Sequence, residues 1–294
     1  MERVCAIVVT YNRLAMLKQC LAALREQTSP CDILIVDNAS SDGTKEWLST
    51  QNSIIILSLS ANTGGAGGFN AGMREAVNRG YELLWIMDDD TLPQADTLQE
   101  LLEADSLLQG NYGWLSSVAL WTNGKECRMN RPKLLKAFYQ DIHLLQYGIV
   151  RAEQATFVSL FVKREAVIKC GLPIKEFFIW GDDIEYTRRI AVRSGFPCYV
   201  AGRSVVTHAV KENMESNVAI DKIERLPRYE FALRNENYTF RQEGIKGFCY
   251  YFARNGRTFL RCVGAPDHKL LRCGIVLKQT MAGFFFNPTI EKVD

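Results

Sequence analysis

The first hundred residues repeat one pattern: a continuous apolar run of strand length, then a cluster of polar turn residues, then a helical period. The runs are Val4 to Val9, Ile33 to Val36, Ile54 to Leu59 and Leu83 to Met87. Strands apolar at every position are covered on both faces, which is the condition of a parallel sheet packed between helices. The helical segments between them are marked by Leu14, Leu17, Leu21 and Leu24, by Thr44 to Ser49, and by a glycine-rich stretch, Asn62 to Gly72, that opens a helix to Arg79. A further helix is predicted over Leu98 to Leu108. The expected fold is therefore α/β, a Rossmann-like, mostly parallel central sheet flanked by helices. Such sheets bind ligands beyond the carboxyl ends of their strands. The polar clusters Thr10 to Arg13, Asp37 to Gly43, Asn62 to Gly72 and Asp88 to Thr91 all fall at that edge.

Beyond residue 110 the pattern weakens. Residues 112 to 150 read as irregular with weak strands near Trp114 to Trp121, Ala155 to Val162 as a strand, Arg164 to Lys169 as a helical turn and Asp182 to Ser194 as a helix. From about Leu226 the chain turns helical, with bases and aromatics interleaved, as in Arg228, Tyr229, Tyr250, Tyr251, Arg254, Arg257 and Arg261. We expect a catalytic domain over residues 1–220 and a helical C-terminal subdomain over 221–294. Charge divides along the same line: residues 1–185 hold 17 Lys and Arg against 23 Asp and Glu, and the remainder hold 18 against 10. The acidic part suits cations and the basic part suits anions.

With 47% apolar residues and no low-complexity bias the chain is globular. No apolar stretch approaches the roughly 18 residues of a membrane-spanning helix. No basic and apolar leader with a cleavage site opens the sequence, so the expected location is cytoplasmic. Nine scattered cysteines without a Cys-x-x-Cys pair read as free thiols in a reducing compartment.

Asp88, Asp89 and Asp90, directly after a buried strand, form the sharpest chemical feature. Adjacent carboxylates repel, and a divalent cation offsets that repulsion. On extended backbone Asp88 and Asp90 point the same way and share one ligand site while Asp89 faces elsewhere. The glycine-rich stretch matches neither a phosphate-binding Gly-x-x-x-x-Gly-Lys-Ser/Thr loop nor a dinucleotide Gly-x-Gly-x-x-Gly. Phe178 to Arg189 places Asp182, Asp183 and Glu185 at a helix start, as capping acids or as a general base beside a cleft. His208 follows the strand-like Ser204 to Thr207, where an imidazole can complete an aspartate metal site.

Taken together, Val8-Val-Thr-Tyr-Asn-Arg13, Val36 to Thr44, Asn62 to Gly72, Trp85-Ile-Met-Asp-Asp-Asp-Thr91, Trp180-Gly-Asp-Asp-Ile-Glu185 and His208 resemble the family 2 inverting glycosyltransferases of the GT-A fold, in the family's order and over residues 1 to about 210. The Asp-Asp-Asp form and the basic-aromatic tail are most similar to the galactofuranosyltransferase-like branch, with a rhamnosyltransferase using dTDP-rhamnose as the alternative. The resemblance implies Mn²⁺ or Mg²⁺ held by Asp88, Asp90 and His208 against the diphosphate of a nucleotide-sugar donor. It implies Asp183, or its neighbour Asp182, as the base that deprotonates an acceptor hydroxyl. Thr10, Arg13, Asp37, Asn62, Gly67, Gly68, Asn70, Asp88 and Asp89 would line the nucleotide-sugar site, and Trp180 and Glu185 the acceptor site. The expected acceptor is a cell-surface glycan precursor or a polyprenyl-diphosphate-linked glycan. The basic tail is read either as contact with the inner face of the cell membrane or as an oligomerisation and acceptor-clamping region. No nucleic-acid module is present. A sugar nucleotidyltransferase would need a basic glycine-rich loop after the first strand, where this chain has Thr10-Tyr-Asn-Arg13. A catalytically silent nucleotide-sugar-binding scaffold would have no use for repelling carboxylates.

Overall fold

The computed structural model describes residues 3–293. The sheet is built from β1 (Val4–Thr10), β2 (Asp32–Asp37), β3 (Ile55–Ser58), β4 (Leu83–Asp88), β5 (Thr91–Pro93), β6 (Trp114–Trp121), β7 (Lys133–Leu134), β8 (Ile149–Gln154), β9 (Leu160–Lys163) and β10 (Tyr199–His208). The helices are α1 (Leu14–Arg25), α2 (Thr44–Ser49), α3 (Gly64–Asn78), α4 (Thr97–Leu107), α5 (Arg164–Cys170), α6 (Asp182–Arg188), α7 (Arg228–Arg241), α8 (Gly244–Val263) and α9 (Lys269–Phe285). Strand order is β3-β2-β1-β4-β9-β6-β10-β8-β7, with β5 against β10.

The strands β3, β2, β1 and β4 run parallel, as their apolar runs require. Alternate residues of β1 enter different cores. Cys5, Ile7 and Val9 pack with Phe69 and Met73 of α3, whereas Val4, Ala6 and Val8 pack with Leu17 and Leu21 of α1. The sheet is mixed beyond β4. Ala155 to Val162, expected as one strand, is a turn followed by β9, which lies antiparallel between β4 and β6. The helix expected over Asp182 to Ser194 is α6 followed by one wider π turn over Arg189–Arg193.

The glycine-rich stretch is not a loop. From Gly64 onward it is the first half of α3, and its glycines let the helix lie close on the sheet. A Cβ on Gly68 would stand 2.4 Å from Val9 Cγ1, and one on Gly72 would stand 2.6 Å from Ile7 Cγ2. The C-terminal helices form their own core of Leu226, Tyr229, Leu233, Cys262, Ile275 and Val276, and Trp180 of the first part packs against it. After α9 the chain returns to the sheet, where Glu291 pairs with Arg74 at 2.6 Å and Val293 enters the core beside α3. All nine cysteines are free.

Alanine in place of glycine inside a helix ordinarily stabilises by up to about 1 kcal/mol. At Gly68 the contact with Val9 reverses the sign, and Gly68→Ala is expected to cost about 1–3 kcal/mol in urea unfolding. Adding Val9→Ala should recover part of that loss; stabilisation by Gly68→Ala alone would refute the close approach.

Candidate active site

The carboxyl ends of β1 and β4 deliver Thr10, Arg13 and the three aspartates to one edge. β4 ends at Asp88, and Asp89 and Asp90 turn the chain into β5. β5 pairs antiparallel with β10, setting His208 opposite Thr91. Asp90 and His208 therefore meet although 118 positions separate them: Asp90 Oδ1 lies 3.2 Å from His208 Nε2. Asp88, Asp90 and His208 each present a ligand atom, all within 4.8 Å of one another.

The three carboxylates have different surroundings. Asp89 is buried behind the cleft, where it accepts a 2.7 Å hydrogen bond from Thr10 Oγ1 and faces Arg13 Nη1 at 3.1 Å. Asp90 Oδ2 accepts from Arg13 Nη2 at 2.7 Å, but its buried Oδ1 has no directed hydrogen bond among the described residues. Burial pushes Asp90 up, yet the close approach and charge of His208, with Arg13, bring it down to about 2. Asp88 is raised to about 7 by burial and by the charge of Asp90, and Asp89 to about 6 by burial that Arg13 and Thr10 only partly offset.

His208 is oriented from behind. The Asn130 amide nitrogen donates to Thr156 Oγ1 at 3.0 Å, so Asn130 Oδ1 accepts from His208 Nδ1 at 2.7 Å. That fixes the proton on Nδ1 and aims the Nε2 lone pair at Asp90. Burial opposes charging the ring, but the Asp90 and Cys127 contacts and the two aspartates lift it to about 10. An imidazole nitrogen facing an orphaned carboxylate oxygen needs a cation between them, either a proton or a metal. The donor set of two carboxylates and one imidazole fits a divalent ion.

Opposite this edge, residues 177–181 form a strained loop before α6. Phe178 and Trp180 adopt φ of +63° and +61°, and Gly181 φ of +87°. Non-glycine residues in this region cost about 1–3 kcal/mol each and persist only where the surroundings hold them. Asn235 of α7 is the holder: its buried Nδ2 donates to Phe177 O at 2.9 Å and to Trp180 O at 2.8 Å. The loop sets Asp182 and Asp183 on the cleft wall. Burial raises Asp182 well above the usual carboxylate range, with the charges of Asp183 and Asp88 adding to it, and burial raises Asp183 to about 6.

Between these walls lies a cleft of about 990 Å³. Arg13, Asp88, Asp90, His208, Trp180, Asp182 and Asp183 line it on the sheet side. Helices α7 and α8 close the other side with Arg228, Glu236, Arg254, Arg257 and Arg261. Glu236 and Arg254 pair across the two helices at 2.7 Å.

Several expected site residues are elsewhere. Glu185 is turned into the protein, its carboxylate bonded to Arg189 at 2.8 Å and Arg193 at 3.1 Å, and it does not line the cleft. Gly67 and Gly68 are buried against Thr63 and Val9 inside α3, where helix packing rather than ligand approach requires glycine. Asn70 donates to Pro173 O at 2.8 Å. Asp37 accepts from the Ser40 N–H, and Asn62 accepts from the Gly64 N–H and the Asn38 amide, so both acceptors hold turns. Asn130 and Asn235 escape sequence reasoning, because a single asparagine in a polar segment carries no periodic or motif signal.

A mixed sheet with an Asp-rich β4 edge, a histidine on a late strand and an acidic helix start across one cleft is the arrangement of the GT-A fold. Residues 5–107, about a third of the chain, match Glycosyl transferase family 2. Galactofuranosyltransferase GlfT1 of Mycolicibacterium smegmatis is 26% identical over 270 residues, 83% of this chain and 85% of that protein. Undecaprenyl-phosphate mannosyltransferase of Micrococcus luteus is 39% identical over 106 residues, spanning 35% of this chain and 44% of that protein. Among solved structures, GalNAc-T7 with UDP, GalNAc and Mn²⁺ superposes with a TM-score of 0.66 at 13% identity, over 95% of this chain and 54% of that one. Mannosyltransferase PcManGT from Pyrobaculum calidifontis, in complex with GDP-Man and Mn²⁺, gives 0.56 at 20% identity over 97% and 76%. At these identities the solved structures carry the fold.

Glu185 provides a test of the geometry. Removing one partner of a buried ion pair costs about 3–5 kcal/mol. Glu185→Ala should therefore lower unfolding stability by that amount in denaturant titration, while nucleotide affinity of the folded protein stays unchanged. A loss of ligand binding without loss of stability would return Glu185 to the cleft.

Proposed function

We propose that the chain transfers a sugar, galactofuranose in the favoured reading, from a UDP-linked donor to a hydroxyl of a cell-surface or lipid-linked glycan precursor, inverting the anomeric centre. The observation that carries the reading is the convergence of Asp88, Asp90 and His208 with Asp183 on one cleft. The match to a galactofuranosyltransferase along most of both chains supports the choice of sugar. The match to an enzyme named for undecaprenyl phosphate supports the choice of acceptor class.

In this reading residues 1–220 supply the donor and metal chemistry, and residues 221–294 supply the far wall against which the acceptor lies. Asp88, Asp90 and His208 would hold the metal, Mn²⁺ or Mg²⁺, and the imidazole in the set would favour Mn²⁺. When bound, the ion neutralises the charge that develops on the departing diphosphate. Arg13 holds Asp90 Oδ2, which keeps Oδ1 turned to His208. Asp183 accepts the acceptor's proton as that oxygen bonds to the anomeric carbon from the face opposite the leaving group. Asp183 suits this role better than Asp182, which is more deeply buried and whose proton affinity is raised further by burial and by the charges of Asp183 and Asp88. Asn235 keeps Trp180 and the aspartates in place across the cleft.

Turnover, measured as nucleotide release from UDP-galactofuranose, dTDP-rhamnose and GDP-mannose with Mn²⁺, Mg²⁺ or chelator, is expected with one donor and only with metal. Asp183→Asn should lower it by about 10²–10⁴ while donor affinity stays within a few-fold. Loss of donor affinity instead would move Asp183 into the donor pocket. Because the basic form of Asp183 is gained as pH rises through about 6, kcat/KM should climb about tenfold per pH unit below that value and level off above it. A flat profile from pH 5 to 8 would remove Asp183 as the base.

A further inference from the structure

Helices α8 and α9 present an apolar face that none of the described residues covers. On α8 the spacing of Ile245, Phe252, Leu260 and Val263 draws one stripe along the helix, and Ile245 and Leu260 are 78% and 71% exposed. On α9 the stripe is Leu270, Leu277 and Phe285, with Leu270 91% and Phe285 80% exposed. The two adjoin through Phe252 and Phe284, whose rings stack at 5.9 Å. A soluble surface seldom leaves contiguous large apolar side chains in water unless something binds there.

The charges around the face say what covers it. The two helices carry Lys246, Arg254, Arg257, Arg261, Lys269, Arg272 and Lys278 and no acidic residue. Arg272 is buried on Asp267 and backbone carbonyls, and the other six bases are at the surface. A second copy docked through the same face would set these bases against their own kind. An anionic lipid surface accepts the apolar stripe between its headgroups and pairs with the bases at its edge. On α8 the three arginines, Arg254, Arg257 and Arg261, turn toward the cleft and form part of its wall, whereas Lys246 does not line it.

We propose that the α8–α9 face docks on an anionic lipid bilayer and holds the arginine-lined side of the cleft at headgroup level. No described helix is long and apolar enough to cross a membrane, so the contact is interfacial. The proposal concerns attachment and stands or falls separately from transfer chemistry.

The test is flotation of the full chain with vesicles of phosphatidylcholine, alone or with about half phosphatidylglycerol. The chain should float with the anionic vesicles, about tenfold less with the neutral ones, and progressively less as salt rises from about 0.1 to 0.5 M. The double substitution Leu260→Glu and Leu277→Glu, neither of which lines the cleft, should reduce flotation at least about tenfold, with circular dichroism and nucleotide affinity unchanged. Lys246→Glu with Lys278→Glu should lower binding to anionic vesicles alone. Absence of flotation at any phosphatidylglycerol content, or undiminished flotation of the Leu260→Glu, Leu277→Glu variant, overturns the proposal. Light scattering at twice 33.3 kDa that falls to the monomer mass in that variant also overturns it, and assigns the face to a second copy.

Discussion

The arrangement of this protein turns on the crowding of carboxylates at the end of β4. Asp88, Asp89 and Asp90 cannot all remain charged and buried together without positive partners, and the structure supplies different ones to each. Asp89 is neutralised within the fold by Thr10 and Arg13. Asp90 divides its two oxygens, one bonded to Arg13 and the other facing His208 without a directed hydrogen bond. Asp88 remains at the cleft with a raised proton affinity. What is left uncompensated is one carboxylate edge, one carboxylate and one imidazole lone pair, which is the chemistry of a divalent cation site.

The second constraint is mechanical. The loop that carries Asp182 and Asp183 reaches the cleft only with Phe178 and Trp180 in left-handed backbone conformations. That strain is contained by Asn235, which belongs to the C-terminal helices, and Trp180 packs on Tyr229 of the same helix with ring centroids 5.1 Å apart. The C-terminal region therefore does more than form a wall. It holds the acidic loop opposite the metal site, so the two halves of the chain depend on each other for the geometry of the cleft. The same helices turn bases inward to the cleft and apolar side chains outward, a division set by the period of α8.

Much of the first hundred residues was legible because burial on both faces leaves an uninterrupted apolar record. β1, β2, β3 and β4 fall within a residue or two of their expected positions. The carboxylate run was legible for the opposite reason, since three acids in a row directly after a buried strand are stable only where cations meet them. Glu185 and the glycines were misplaced by the same kind of limit. A carboxylate at a helix start looks the same whether it faces a cleft or an arginine one turn on. A run of glycines looks the same whether it frees a loop or admits a helix to within contact of a sheet.

The positions of the parallel strands along the chain, the acidic edge and the basic amphipathic tail are properties of local composition and periodicity, and the chain determines them wherever each residue's neighbours in sequence are enough to define its environment. The meeting of Asp90 with His208, the clamp from Asn235 to the 177–181 loop, and the inward turn of Glu185 depend on contacts between residues distant in the chain. Only the tertiary structure decides these, because a side chain's direction and partners follow from strand pairing and helix packing that no local pattern encodes.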